Sequence, residues 1–310
     1  MATTTDPAPL GYMNDGSIGS DVEAVRKDME SAYDDATRGL TTFTNYYEAS
    51  ARPDAIGLAV PPEMQNLLAY VGYPRTYVDS IAERLEVTGF RLTGGTEADA
   101  ATEAEDPIAQ QFWAWWQAND LDTESVLGHT ESLISKRGYI TISAPDPAFD
   151  LFNDPTIPII RVEPPTNLYA RMDPKTRQVQ QAVRIVKSDD GSTTISSTLY
   201  LPNQTFFWDQ DPQNPGTLLQ IRPPVQHNLG IVPVVPITNR TQLKDLYGSS
   251  QITPELMSVT DAAARILMDM QGAAELMAVP QRLLFGVNPS DIGVDPATGQ
   301  SRYNAYMARM

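Results

Sequence analysis
The chain contains no cysteine. Disulfides, thiolate nucleophiles and cysteine-bound metals are therefore excluded together, and stability is left to packing and to assembly. Imidazoles are nearly as scarce: His129 and His227 are the only two, and they stand in neither H-x3-H nor H-E-x-x-H spacing, which argues against a histidine metal site. His129, on a predicted helix near Leu133, reads as a packed or surface histidine rather than a base. A phosphate-cradling G-x-x-x-x-G-K-[ST] loop is missing, so the chain is not a nucleotide-driven motor. Gly94-Gly95 is followed by acids that would repel phosphate, and it reads as a turn. There is no G-x-S-x-G elbow. No run of eighteen apolar residues occurs, and residues 1–10 lack the basic start and apolar stretch of a signal peptide. The expectation is a soluble protein, intracellular when made, with no cofactor.

Positive charge is also in short supply. Lys and Arg number 22 against 39 Asp and Glu, a net charge of −17. A protein that grips duplex DNA places cations against phosphates, so most of this surface should repel DNA. An acidic wall suits a passage along which DNA slides, because ion pairs to phosphate would act as brakes. Solubility alone also explains such a charge. Paired carboxylates are the one catalytic option left, at Asp209/Asp211 and Asp146/Asp150. Both pairs lie in Pro- and Asn-rich stretches where Asp commonly serves a turn.

What is present reads as α+β. Ser20-x-x-Glu23 has capping-box spacing, and Val22, Val25, Met29, Ala32, Ala36, Leu40, Phe43 and Tyr47 recur every three or four residues, predicting a long amphipathic helix with a break near Gly39. Pro61-Pro62 opens a short helix carrying Met64, Leu67 and Leu68. Tyr73-Pro74 opens another carrying Tyr77, Ile81 and Leu85. Residues 93–105 read as an acidic loop. A helix over 106–119 carries Phe112, Trp113, Trp115 and Trp116, and Asp122 caps the next, which runs through Val126, Leu133 and Ile134 to Lys136. The aromatic cluster fits either a partner-binding surface or a helix wedged between two layers of its own subunit.

From Tyr139 the period changes to two. Runs at 139–142, 157–162, 178–186, 193–201 and 205–208 are separated by Pro, Gly, Asn and Asp, and Asp189-Asp190-Gly191 reads as a hairpin turn. Two prolines confine Ile231-Val232-Pro233-Val234-Val235-Pro236 to a sheet edge or an extended connector. Thr253 and Pro254 then start a helix over 255–277. At 100° per residue, Leu256, Val259, Ala263, Ile266, Leu267, Met270, Ala273, Ala274 and Met277 share an arc of about 120°. Glu255, Asp261, Arg265, Asp269 and Glu275 are assigned to the other side, facing solvent or a charged lumen. Residues 281–287 read as a short strand and 288–299 as turns. The segment 303–310 reads as a helix start without a cap, the mark of a piece of a longer protein.

The order of phrases carries a resemblance. Tyr46-Tyr47-Glu48, Gly57-Leu58-Ala59-Val60-Pro61-Pro62, Tyr73-Pro74-Arg75, Val78-Asp79-Ser80, Glu83-Arg84-Leu85, Val87-Thr88-Gly89-Phe90-Arg91 and Trp115-Trp116-Gln117-Ala118-Asn119-Asp120-Leu121-Asp122 follow one another. Later come His227-Asn228-Leu229-Gly230, Val232-Pro233-Val234-Val235-Pro236, Asn239-Arg240, Asp245-Leu246-Tyr247-Gly248 and Thr260-Asp261-Ala262-Ala263-Ala264-Arg265. This resembles the portal proteins of tailed phages that infect actinobacteria. The resemblance implies a non-enzymatic virion protein at one capsid vertex, made in the host cytoplasm: a ring, usually of twelve copies, through which double-stranded DNA is packaged and ejected without sequence-specific binding. Its implied partners are the terminase large subunit, head-tail adaptors, and the major capsid and scaffold proteins, with no membrane.

By the same likeness, residues 1–18 are a flexible leader, 19–137 the helical part of the wing and 138–235 its β-rich part. Residues 236–279 would be the connector and stem helix, and 280–310 a partial clip, with the second stem helix, tunnel loop and crown lacking. Glu255, Asp261, Arg265, Asp269 and Glu275 become candidate channel-facing residues. Trp113, Trp115, Trp116, Leu256, Val259, Ile266 and Met270 become candidate packing or interface residues. The rival readings are another head or head-tail connector protein, and a carboxylate-dependent hydrolase.

Overall fold
A computed structural model of the protein describes residues 18–51, 71–90, 107–145, 154, 156–188, 191–214 and 216–278, with side chains between 21 and 274 in those ranges. The Pro61-Pro62 helix, the 93–105 loop, Asp146 and Asp150, and the elements expected after 278 lie outside the described residues. The described residues up to Ala262 belong to one compact unit and those from Ala263 to a second.

The first amphipathic segment forms α1 (Ile18–Thr37) and α2 (Leu40–Tyr47), broken where Gly39 takes φ +83. The helix begins ahead of Ser20, so Ser20 is not its cap. Glu23 instead binds Arg26, which also reaches Glu30. Met29 and Tyr33 are fully buried on the stripe's inner face. In α3 (Tyr73–Ala82), Pro74 stands in the first turn as expected, but the buried residues are Pro74, Val78 and Ala82. Tyr77 and Leu85 are exposed, because the stripe that packs is displaced one residue from the expected one. Next come α4 (Pro107–Ala118) and α5 (Leu121–Ile134). The cap position of α5 is Asp120, in the left-handed region, rather than Asp122. Asp122 lies in the first turn and accepts the Trp116 Nε1–H at 2.6 Å.

Among the described residues nine strands follow: β1 (Arg137–Ser143), β2 (Ile159–Glu163), β3 (Leu168–Met172), β4 (Val179–Lys187), β5 (Thr194–Tyr200), β6 (Gln204–Gln210), β7 (Leu218–Gln220), β8 (Val225–Gln226) and β9 (Val234–Thr238). They build a three-stranded sheet of order β2-β1-β9 and a six-stranded sheet of order β3-β4-β5-β6-β7, in which β8 also pairs with β6. All pairings are antiparallel. The β4–β5 hairpin closes at Gly191, φ +68, with the Ser188 N–H donating to the Thr193 carbonyl at 2.9 Å. The Pro-containing run becomes β9, an edge strand, where a residue lacking an N–H is tolerated.

Cross-strand partners point to the same side of a sheet, so register assigns the faces. Val183, Leu199 and Phe206 share one face of the six-stranded sheet and, with Ile185, Leu201 and Trp208, bury Met29 and Tyr33 of α1. Leu168, Ala170 and Ala182 on the opposite face pack against Tyr139, Val232 and Val234 of the smaller sheet's side. Beyond the three-stranded sheet lies α5, whose Gly128 allows close approach: a Cβ there would stand 2.9 Å from Val162 Cγ1. The layers are therefore α1, six strands, three strands and α5. A third cluster joins Val78, Ala82, Leu133, Ile134 and Ile252 to Phe43, Tyr46, Tyr47, Ile81 and Met257.

Candidate functional site
The segment with the strongest functional reading is α6 (Pro254–Ala278), and its start is fixed by its neighbours. Ser250 Oγ donates to the Ile134 carbonyl at 2.6 Å, the Gln251 N–H to the Leu133 carbonyl at 2.8 Å, and Ile252 is fully buried. These contacts hold the entry to α6 against the end of α5. Thr253 caps as expected: the Leu256 N–H donates to its Oγ1 at 3.4 Å and the Met257 N–H to its carbonyl at 3.0 Å. Glu255 is exposed in the first turn, its carboxyl held below the usual range by a hydrogen bond from Thr253.

Within the first unit, the side of α6 that packs is not the apolar stripe. Met257 joins the third cluster, Thr260 is buried, and Asp261 accepts the Tyr46 hydroxyl at 3.0 Å on both carboxylate oxygens. These positions lie at 40–140° from Leu256 on the helical wheel, about 130° round from the centre of the stripe. Val259, Ile266 and Met270 are 61%, 59% and 62% exposed, and Leu267 is exposed as well. Leu256 is half-buried. Among the supposed lumen residues, Asp269 is exposed, Arg265 is half-buried, and the side chain of Glu275 lies outside the described residues. Asp261, like Arg265, is half-buried, and it is held by Tyr46. Amphipathicity states that a face needs cover, not which molecule supplies it.

The aromatic residues of α4 come together, and no described residue of that helix is fully buried. Trp113 and Trp116 stack at 6.1 Å, and Phe90 lies within 5.8 Å of Phe112, Trp113 and Trp116. Trp115 joins through Phe112 at 5.6 Å. Phe112 and Trp113 are exposed.

Of the two carboxylate pairs, Asp209 and Asp211 are among the described residues. Asp211 accepts the Gln213 N–H at 2.8 Å, closing a turn, and Asp209 lies within β6 opposite Leu219. Among the described residues no group of three His, Cys, Asp or Glu is placed to hold a metal. No helix there is long and apolar enough to cross a membrane. His227 sits in the turn after β8, its imidazole pushed down by burial.

Two polar arrangements were not legible in the sequence. Arg137 is buried with its guanidinium 5.7 Å and 5.2 Å from the Tyr169 and Tyr247 rings, one Nη reaching the Ala36 carbonyl at the end of α1. Glu163, buried on β2, pairs with Arg184 on β4 at 2.9 Å and ties the two sheets together. Both depend on pairings distant in sequence. For Tyr46 a signal existed, since Phe43, Tyr46 and Tyr47 share the helical spacing of α2.

Comparison with known proteins supplies the context for these surfaces. The family described as "Phage portal protein, SPP1 Gp6-like" matches residues 27–305. The chain is 52% identical over 292 residues to the portal protein of Mycobacterium phage D29, and 51% identical over 290 residues to that of Mycobacterium phage L5. Each alignment covers 94% of this chain but 57% of the relative, so the chain spans little more than half the length of these proteins. With a match across most of its length and two relatives at about half identity, the chain belongs to the SPP1 Gp6-like family of phage portal proteins.

Proposed function
We propose that this chain supplies the wing and the first stem helix of a portal subunit, a structural rather than catalytic part of a ring at one vertex of the capsid. Family membership supports the reading. The observation that carries it to particular residues is the open apolar stripe of α6: Val259, Ile266 and Met270 are exposed although nothing in their chemistry favours water. In a ring, the same helix of neighbouring copies covers such a stripe, and closed cyclic symmetry repeats the contact at every copy. A ring of twelve would pass double-stranded DNA, and the net charge of −17 keeps phosphates from being gripped. Asp269 is the exposed acid of α6 best placed to serve that purpose, while Asp261 serves the packing of the helix. Docking of the terminase large subunit, head-tail adaptors, capsid and scaffold proteins belongs to the same proposal.

Native mass spectrometry and negative-stain electron microscopy of the purified chain test it. Rings of about a dozen copies with an open centre are expected. Replacing Ile266→Asp should shift them to monomers while leaving the circular dichroism spectrum unchanged. A wild-type monomer at every concentration, or rings unaffected by Ile266→Asp, would overturn the assignment of this stripe.

A further inference from the structure
The six-stranded sheet is wider than the three-stranded sheet that covers it. Its second face is buried on the β3–β5 side, where Leu168, Ala170, Ala182 and Tyr200 meet Tyr139, Val232 and Val234. Continuing along the register, Thr198 pairs with Phe207, Tyr200 with Thr205, Thr205 with Val225, and Asp209 with Leu219, while the Ile221 N–H donates to the Phe207 carbonyl. Paired residues point the same way, so Phe207, Leu219, Ile221 and Val225 continue this second face past the edge of the smaller sheet. Leu219, Ile221 and Val225, with Leu229 and Ile231 in the connection to β9, are 46–64% exposed. Five large aliphatic side chains stand open within one short stretch.

The charge pattern over the same stretch identifies what covers it. The chain has 39 acidic residues, yet none falls between Pro212 and Lys244, where the charged residues are Arg222, Arg240 and Lys244. Arg222 lies on the face itself, its guanidinium 3.6 Å from the Phe207 ring. Asp209 is the acid that shares the face, at its far end opposite Leu219. Two copies carrying −17 each repel wherever acidic surfaces meet, and an apolar, weakly basic face is where a second copy approaches without that cost. Addition of a strand at the edge is disfavoured, because Pro223 and Pro224 interrupt it between β7 and β8. Contact is therefore through side chains of the face.

We infer that the Leu219–Ile221–Val225 face, with Leu229, Ile231 and Arg222, is a subunit–subunit surface that receives the acidic side of the next copy of this chain. The inference rests on the ring reading but concerns a surface in the wing, separate from the stripe of α6.

Because the chain has no cysteine, a single Ile221→Cys gives one attachment point for a photo-cross-linker at an exposed site. Equal amounts of labelled 14N protein and unlabelled 15N protein are mixed, irradiated and digested, and the cross-linked peptides are assigned by mass. Peptides joining 14N residue 221 to an acid-rich 15N segment are the expected result. Cross-links confined to one chain, or none at all, overturn the inference. Electron microscopy of the same sample separates the two readings. Rings without mixed-isotope cross-links sink this surface and leave the portal ring standing, whereas mixed-isotope cross-links without rings keep the surface and sink the ring. As a second measure, Ile221→Asp should weaken self-association by at least about tenfold in sedimentation, the effect of no longer burying one large aliphatic side chain. Unchanged self-association overturns the inference even if cross-links form.

Discussion
Gly248 takes φ +78, and a Cβ there would run into the Lys136 carbonyl oxygen, with the Asn239 carbonyl oxygen at 3.0 Å. Both obstacles are backbone and neither can swing aside. Gly248→Ala should therefore cost about 2–3 kcal/mol in urea unfolding, combining a strained dihedral with a steric shift. Gly191 is the control: its φ is +68 but open space surrounds its Cβ position, so Gly191→Ala should cost only about 1 kcal/mol. Equal losses would show that the close approach is not felt. A second residue-level consequence concerns pH. Burial pushes the Tyr200 phenol up to about 12, and burial followed by a hydrogen bond with Tyr247 does the same for Tyr169. A free tyrosine ionises near pH ~10. Between pH 10 and 12 the folded chain keeps protons that the unfolded chain has lost, so stability is complete below 10 and falls as pH rises to 12. Tyr200→Phe should flatten that fall, as read by urea midpoints across the window. An unchanged slope would contradict the assignment.

At the scale of elements, the helices were legible as amphipathic segments but not as oriented ones. The periodicity over 22–47 located α1 and α2, and Gly39 marked the break, because a positive φ ends a helix cheaply only at glycine. The stripe of α3 was placed one residue off, since a helix wheel contains no information about adjoining elements. The strands β3, β7 and β8 were missed; between the last two, Pro223 and Pro224 break the alternation that would have announced a single edge strand. The pair Tyr46–Asp261, from elements more than two hundred positions apart, adds to the contacts that hold the start of α6 to its unit. Removing the hydroxyl by Tyr46→Phe should destabilise the first unit by about 1–2 kcal/mol, the usual worth of a hydrogen bond to a partly buried carboxylate. Hydrogen exchange should show the loss in the first turns of α6. Protection unchanged there would mean the pair adds nothing.

At the scale of the molecule the dominant quantity is charge. Assembly of the proposed ring from subunits carrying −17 each works against long-range repulsion that salt screens over about 8–10 Å at physiological ionic strength. Ring formation should therefore strengthen as salt is raised from about 10 mM to about 150 mM. Weakening over that range in sedimentation would mean that ion pairs between copies dominate instead.

The sequence by itself determined the class of the fold, the places where helices give way to strands, the cap at Thr253 and the family, because these rest on local periodicity, on turn residues and on the order of long phrases. It also determined that α6 has an apolar side. Only the tertiary structure decided that Asp261 is bound by Tyr46, that Val259, Ile266 and Met270 are left exposed, and that Arg137 lies between two tyrosines. It alone showed that the six-stranded sheet overhangs its cover. Each of these is a contact, or an absence of contact among the described residues, between segments far apart in the chain, and no local pattern encodes which distant segment arrives.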